Sequence, residues 1–240
     1  MRVVILAAGM GRRFRRLDLP KPLTCLATGD SILSLQIQTL SKMVSPHKIT
    51  VVVGYRKEKI IENFPDLSYV YSPKYAEQNT AKSLLRATEK VFDEDLLWLN
   101  GDVVFHPDVL KALLNGKYQN KMIVNVGPVG DEEVKYRVNN RGKILEISKE
   151  IACDVAKGEA LGINFFKAKD LHALKRNLER CKESDYFEKA IEMCIEEGIS
   201  VWGVPVEHSH CTEIDFPEDL DRANQMIRGE IWKRQSRSLM

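Results

Sequence analysis

Short apolar runs recur along the first half of this chain, and segments with helical spacing separate them. The runs are Arg2–Leu6, Ile49–Val53, Tyr69–Tyr71, Leu96–Leu99 and Met122–Val126. Each is too brief for a helix and right for a buried strand. Between them, Ile32, Leu33, Leu35, Ile37 and Leu40 mark one apolar helix side, capped by Asp30 or Ser31 and running to about Met43. Helices are expected also over Lys57–Asn63, Ala81–Phe92 and Pro107–Leu114, the last with Pro at its first position. Strands alternating with helices at this spacing predict an α/β domain with a mostly parallel sheet covered on both faces. After Val126 the pattern changes. Val134–Val138 and Lys143–Ser148 read as a hairpin around Asn139-Asn-Arg-Gly142. Strands at Ala160–Phe166 and Ile199–Val206 and helices at Lys169–Arg180, Asp185–Glu196 and Pro217–Lys233 complete the chain.

The 240 residues suffice for one large domain. Their 44% hydrophobic and 29% charged content is that of an ordinary globular protein. A net charge of +2 does not imply nucleic-acid binding, and no helix interleaves a Lys/Arg stripe with aromatics. The cysteines (Cys25, Cys153, Cys181, Cys194, Cys211) are odd in number and lack a C-x-x-C pair, against a disulfide framework or zinc site. The sequence shows no signal peptide and no apolar stretch of membrane-spanning length, so a cytoplasmic location is the expectation.

The densest chemistry follows the first strand. Ala7-Ala8-Gly9-Met10-Gly11 leads into Arg12, Arg13, Arg15 and Arg16, then Pro20-Lys21-Pro-Leu23. Gly9 and Gly11 can take positive φ and let backbone N–H groups close on phosphate oxygens, with Arg13 and Lys21 neutralising charge. The same letters also describe a tight turn beside a solvated basic surface. The spacing is neither the Rossmann fingerprint, which needs Gly at Phe14, nor a Walker loop.

In open parallel sheets ligands bind beyond the carboxyl ends of the strands. Asn79-Thr80, after the third run, and Gly101-Asp102, after the fourth, fall there. Asp102 beside a glycine suits Mg²⁺ bridged to phosphate, or a plain turn. Asp215 in Glu213-Ile-Asp215 is a second such carboxylate, or a cap for the helix at Pro217. Lys149 can neutralise an acceptor phosphate and Glu159 can accept from acceptor hydroxyls; each also reads as a solvated or turn residue. His208 and His210 alternate like the end of a strand.

The block Leu6-Ala-Ala-Gly-Met-Gly-Arg-Arg-Phe14 followed by Pro20-Lys-Pro-Leu23 resembles the signature of the sugar nucleotidyltransferases, L-A-A-G-x-G-x-R-L/F with a downstream P-K-P-L. The likeness covers nearly the whole chain: Ser31-Ile-Leu33 with Gln36, Val53-Gly-Tyr55, Asn100-Gly-Asp102 and Glu213-Ile-Asp215 all have counterparts in that pattern. Within the family, Tyr75-Ala-Glu-Gln-Asn-Thr80 with Ser83-Leu84 looks most like the small cytidylyltransferases that activate inositol 1-phosphate or phosphocholine. Asn79-Thr80-Ala81 departs from the Gly-Thr-Ala usual in hexose-1-phosphate enzymes.

The resemblance implies a single-domain Rossmann-like nucleotidyltransferase fold. Residues 1–126 would form the nucleotide half, 127–216 the acceptor half and 217–240 a C-terminal helix and tail. It implies a Mg²⁺-dependent transfer from CTP to a phosphorylated polyol, inositol 1-phosphate first, with release of pyrophosphate; phosphocholine is the next acceptor, and another sugar 1-phosphate or polyol phosphate the third. Arg13 and Lys21 would be catalytic, and Asp102 and Asp215 would hold the metal. Leu6, Ala7, Ala8, Gly9, Gly11, Asn79, Thr80, Ser83 and Gly101 would surround the nucleotide, and Lys149 and Glu159 the acceptor. A nucleotide-sensing protein on the same fold is the non-enzyme reading; the presence of all four charged residues counts against it.

Within the acceptor half, the segment from roughly Gly127 to Phe166 offers Tyr136, Phe165 and Phe166 as aromatics but no Trp. The two phenylalanines are adjacent on a strand and point to opposite faces, which disfavours a cage for a quaternary ammonium and favours a polyol. The final helix, with Ile227, Ile231 and Trp232, can cover its own core or a second copy in a homodimer. Its basic tail, Lys233–Arg237, gives membrane association a weak case.

Overall fold

The computed structural model describes residues 1–14, 18–116, 119–207 and 209–229. The first apolar run becomes β1 (Arg2–Ala7), with Val3, Val4 and Ile5 wholly buried. Ser31 rather than Asp30 caps α1 (Ile32–Leu40), its hydroxyl accepting the Ser34 N–H at 3.1 Å. There follow β2 (Ile49–Val53), α2 (Lys57–Asn63), β3 (Ser68–Tyr71), α3 (Thr80–Thr88) and β4 (Leu96–Asn100). Next come β5 (Val103–Phe105), α4 (Pro107–Leu114), β6 (Asn120–Val124), and β7 (Lys135–Val138) paired antiparallel with β8 (Ile144–Ser148). The chain continues through β9 (Gly158–Phe166), α5 (Leu171–Arg180), α6 (Phe187–Glu196), β10 (Val201–Pro205), β11 (Cys211–Glu213) and α7 (Pro217–Arg228). Ile231, Trp232 and the basic tail lie outside the described residues, as do Arg15, Arg16 and His208.

The main sheet runs β10-β6-β9-β4-β1-β2-β3. β4, β1, β2 and β3 are mutually parallel. β9 enters antiparallel between β4 and β6, making the sheet mixed, and the β7–β8 hairpin hangs from its first residues. Side chains alternate across the sheet. Val4, Leu6, Trp98 and Phe166 face a core closed by α3, α5 and α6 through Leu84, Leu174 and Ile191. Val3, Ile5, Leu99 and Phe165 face a second core closed by α1, α2 and α4 through Leu33, Ile60 and Leu110. This is the expected single-domain α/β architecture, with helices on both faces.

β5 was not expected from the sequence. This short strand pairs antiparallel with β11 in a separate two-stranded ribbon. A third, smaller core binds the ribbon to α7 and the N-terminal loop through Val104, Ile214, Ala223, Ile227 and Phe14. The fifth apolar run also shifts, with β6 ending at Val124 and Val126 exposed. All five cysteines are free thiols. Among the described residues no helix is long and apolar enough to cross a membrane.

Candidate active site

The loop after β1 turns at Gly11, whose φ of +61° strains any side chain; a Cβ there would stand 3.1 Å from Lys21 Cβ. Gly9 does not have positive φ, contrary to expectation, and a Cβ on it would meet nothing within 4 Å. Arg12–Phe14 form one 3-10 turn, anchored by buried Phe14, and Lys21–Leu23 form another after Pro20.

Lys21 is buried between two carboxylates. Its Nζ donates to Asp102 Oδ2 at 2.7 Å and to Asp215 Oδ1 at 2.8 Å. Burial alone pushes its pKa down, but Asp102 and Asp215 together raise it above the usual lysine value. Arg13 Nη2 lies 3.0 Å from Asp215 Oδ2, and its guanidinium sits 5.7 Å from the centre of the Phe216 ring.

Three backbone anchors hold Asp102. The Gly101 N–H donates to Leu6 O at 2.9 Å, and a Cβ at 101 would stand 2.9 Å from that oxygen, so the turn takes glycine. Gln36, buried on α1, donates through Nε2 to Asn100 O at 2.9 Å and Val103 O at 2.8 Å, clamping the turn on either side of Asp102. The Ile214 N–H donates to Asp102 O at 3.0 Å, which joins the turn to the segment carrying Asp215.

Asp215 does not cap α7. Asp219 Oδ2 accepts the N–H groups of Asp215 and Phe216 at 2.8 and 2.7 Å. The Asp215 carboxylate is thereby released to face Lys21. A third carboxyl, not singled out from sequence, completes the cluster. Glu213 Oε1 accepts from Asn100 Nδ2 at 3.2 Å; burial first, then Asp102 and Asp215, hold its pKa well above the carboxylate range.

This donor set fits Mg²⁺. Asp102 and Asp215 already converge on one cation, the Lys21 ammonium, and offer oxygen ligands alone. Among the described residues no group of three or more His, Cys, Asp or Glu forms a complete cage. A shared ion that takes its remaining ligands from phosphate and water needs none.

The loop and carboxylates form one end of a cleft of about 1020 Å³. Of the expected site residues, Leu6, Ala7, Gly9, Gly11, Arg13, Lys21, Asn79, Thr80, Gly101, Asp102, Lys149, Glu159 and Asp215 line it. Ala8 and Ser83 do not; both are buried in their elements. Asn79 accepts the Thr80 N–H at 2.8 Å and donates to Ser184 O at 3.2 Å, while Thr80 Oγ1 accepts the Phe187 N–H at 3.1 Å. Both side chains therefore pin the start of α3 to the segment entering α6.

At the other end, Lys149 Nζ lies 4.6 Å from the centre of the Tyr186 ring and 4.0 Å from Glu132 Oε2. Glu159 accepts from Asn125 Nδ2 at 2.5 Å, and burial, then Glu133, raise its pKa. Glu188, on the first turn of α6, is buried, and burial pushes its carboxyl up to about 7.

The aromatic expectation fails here. Tyr136 is buried with its O–H donated to Asn125 O at 2.7 Å, and Phe165 and Phe166 fill opposite cores. The cleft takes its aromatics from Tyr75, Tyr186 and Phe216 instead, all outside the segment searched from sequence. His210 stands edge-on to His106 at 5.6 Å, away from the cleft.

Comparison with known proteins places these features in a family context. Residues 3–179 match the model of the MobA-like NTP transferase domain. The chain is 29% identical over 241 residues to the UTP–glucose-1-phosphate uridylyltransferase AglF of Haloferax volcanii, covering 96% of this chain and 98% of that protein. It is 30% identical over 248 residues to the bifunctional protein GlmU of Methanococcus maripaludis, where 96% of this chain spans 55% of the relative. Among solved structures, the CTP:phosphocholine cytidylyltransferase LicC of Streptococcus pneumoniae superposes with a TM-score of 0.73 at 19% identity, over 94% of this chain and 98% of that one. The inositol-1-phosphate CTP transferase of T. maritima superposes with a TM-score of 0.73 at 22% identity, over 95% and 96%. At these identities the two structures speak for the fold.

Proposed function

This chain belongs to the MobA-like NTP transferase family and is a nucleotidyltransferase; we propose that it transfers a cytidylyl group from CTP to a phosphorylated polyol, inositol 1-phosphate before others. An acceptor phosphate oxygen attacks the α-phosphorus, the bond to the bridging oxygen of the β-phosphate breaks, and pyrophosphate leaves with the electron pair. Such a reaction needs no protein nucleophile. It needs two anions held in line and their charge met as it shifts.

The observation that carries this reading is the buried Lys21 ammonium between Asp102 and Asp215, beside the Gly9–Gly11 loop. Asp102 and Asp215 would hold Mg²⁺, which supplies charge neutralisation on the triphosphate. Lys21, whose ammonium stands between those carboxylates, would contact phosphate oxygens of donor and acceptor. Arg13 serves the triphosphate from the mouth, and the backbone at Gly9 and Gly11, neither of which carries a side chain, approaches the phosphates. Lys149 at the far end meets the acceptor phosphate.

The acceptor preference now rests on other residues than those weighed from sequence. Tyr75, Tyr186 and Phe216 remove the shortage of aromatics that argued against choline. The polyol reading is supported by Glu159, which lines the cleft, and by the full-length similarity to a sugar-phosphate enzyme. That similarity also favours a second reading, uridylyl transfer from UTP to a hexose 1-phosphate.

Pyrophosphate release with Mg²⁺ separates them. CTP, UTP, dTTP, ATP and GTP are each paired with inositol 1-phosphate, phosphocholine and glucose 1-phosphate. The greatest kcat/KM is expected for CTP with inositol 1-phosphate. A maximum for UTP with glucose 1-phosphate selects the second reading, and no release with any pair defeats both.

A further inference from the structure

A wall of the cleft, beside Lys149 and Tyr186, holds an acid that the reaction does not use. Glu188 is 7% exposed, yet it lines the cleft. No other residue supplies it with a hydrogen bond or an ion pair among the described residues. The cation that acts on it is Lys149, whose ammonium is stacked on Tyr186 rather than bonded to Glu188. The hydrogen bond that reaches this carboxyl comes from its own backbone N–H, so it keeps acceptor capacity that no other described residue meets. Something that enters the cleft can meet it.

We propose that Glu188 is a specificity-determining residue for the acceptor, receiving a hydroxyl hydrogen from a polyhydroxylated phosphate monoester and so selecting against acceptors that lack hydroxyls. This rests on the acceptor reading given above. The acceptor phosphate draws Lys149 away from the Tyr186 ring, and Glu188 then has no cation near it. A hydroxyl supplies the missing hydrogen and brings no countercharge. A trimethylammonium group has no N–H to give.

Glu159 lines the same cleft and is held by Asn125, so it is already satisfied from one side. Glu188 is the acid whose partner must come from the ligand. A site built to hydrogen-bond a substrate hydroxyl rejects the analogue lacking it far more strongly than an apolar pocket rejects a misfit.

Glu188→Leu and Glu188→Gln are compared with the wild type for kcat/KM on inositol 1-phosphate and on phosphocholine, each with CTP and Mg²⁺. Circular dichroism and the CTP dissociation constant check the fold. The ratio of the two kcat/KM values is expected to move toward phosphocholine by about 100-fold in Glu188→Leu and by less than about 10-fold in Glu188→Gln. A ratio that moves less than about threefold in Glu188→Leu overturns the proposal, as does a wild type that prefers phosphocholine.

If the wild type turns over neither acceptor, the proposed reaction fails on its own. Calorimetric titration of inositol 1-phosphate into the CTP-bound protein then decides. Binding by the wild type that Glu188→Leu loses upholds the role of Glu188. Equal binding by both, or binding by neither, overturns it. A Glu188→Leu chain that does not fold leaves the comparison to Glu188→Ala, with the same expected direction.

Discussion

The two ends of the cleft are built differently. At the carboxylate end the described groups are met by protein partners: Lys21 by Asp102 and Asp215, Arg13 by Asp215, and Glu213 by Asn100. Backbone bonds from Leu6, Ile214 and the Gln36 amide hold the turn beneath them. At the acceptor end Lys149 rests on an aromatic ring, 4.0 Å from its nearest acid, and Glu188 has no partner on another residue. Preorganised charge suits the step that is common to all substrates. Groups left to be satisfied by the ligand suit the step that tells acceptors apart.

The strongest break of this contrast is at Asp102. Asp102→Ala should lower kcat by about 1,000-fold or more, with the thermal midpoint within a few degrees of wild type. Steady-state rates and a melting curve test both halves; a rate within tenfold of wild type removes Asp102 from the metal site.

Lys21→Ala comes next, with kcat down by about 100-fold and the CTP dissociation constant changed little. Stopped-flow rates set beside a CTP titration separate the two quantities. A change confined to CTP affinity would make Lys21 an ordinary binding residue.

Gln36→Leu keeps the apolar packing of α1 but strips two carbonyls of their donor. It should lower kcat by about 10-fold and stability by about 2 kcal/mol, and raise the Mg²⁺ concentration for half-maximal protection against urea in the presence of CTP. Lost stability with an unchanged Mg²⁺ requirement would leave Gln36 only structural.

The smallest effect sharpens the acceptor end. The Glu188 carboxyl rises from 4.5 unfolded to about 7 folded, so the folded chain binds the proton more tightly. Its contribution to stability therefore falls as pH rises between those values and is constant above. The stability of Glu188→Gln relative to wild type should grow between pH 4.5 and pH 8 in urea melts. A flat difference would mean that Glu188 titrates normally.

Much of the fold is legible locally. The alternation of Val3, Ile5 and Ala7 against Val4, Leu6 and Ala8 is written within a few residues, and it sends each set into its own core. The same holds for the hairpin at Asn139–Gly142 and for the helices. β5 is less so: a three-residue strand is stabilised by its partner β11, more than a hundred residues away, and not by its own composition. The entry of β9 between β4 and β6 is a choice among pairings of equal local quality.

The site divides in the same way. Gly11, Gly101, Lys21 and Asp102 stand in short motifs. Glu188 and Tyr186 stand at the start of an ordinary helix pattern, and Glu213 and Gln36, though they fall within quoted blocks, carry no local mark of what lies opposite. The aromatic residues chosen from sequence were wrong because burial decides which rings fill a core and which reach a cleft, and burial is set by the whole sheet.

By itself, the sequence determined which segments become strands and helices, where the backbone can turn without a side chain, and which charges are available near the first strand. Tertiary structure alone decided that Lys21 meets carboxylates 81 and 194 residues away. It decided also that Asp219, inside the first turn of the last helix, holds the N–H groups of Asp215 and Phe216, and that Glu188 is buried in the cleft wall with no partner on another described residue. The reason is range. Periodicity and steric preference act over a few residues and can be read in a short window, whereas desolvation and ion pairing depend on what the folded chain brings within a few ångströms.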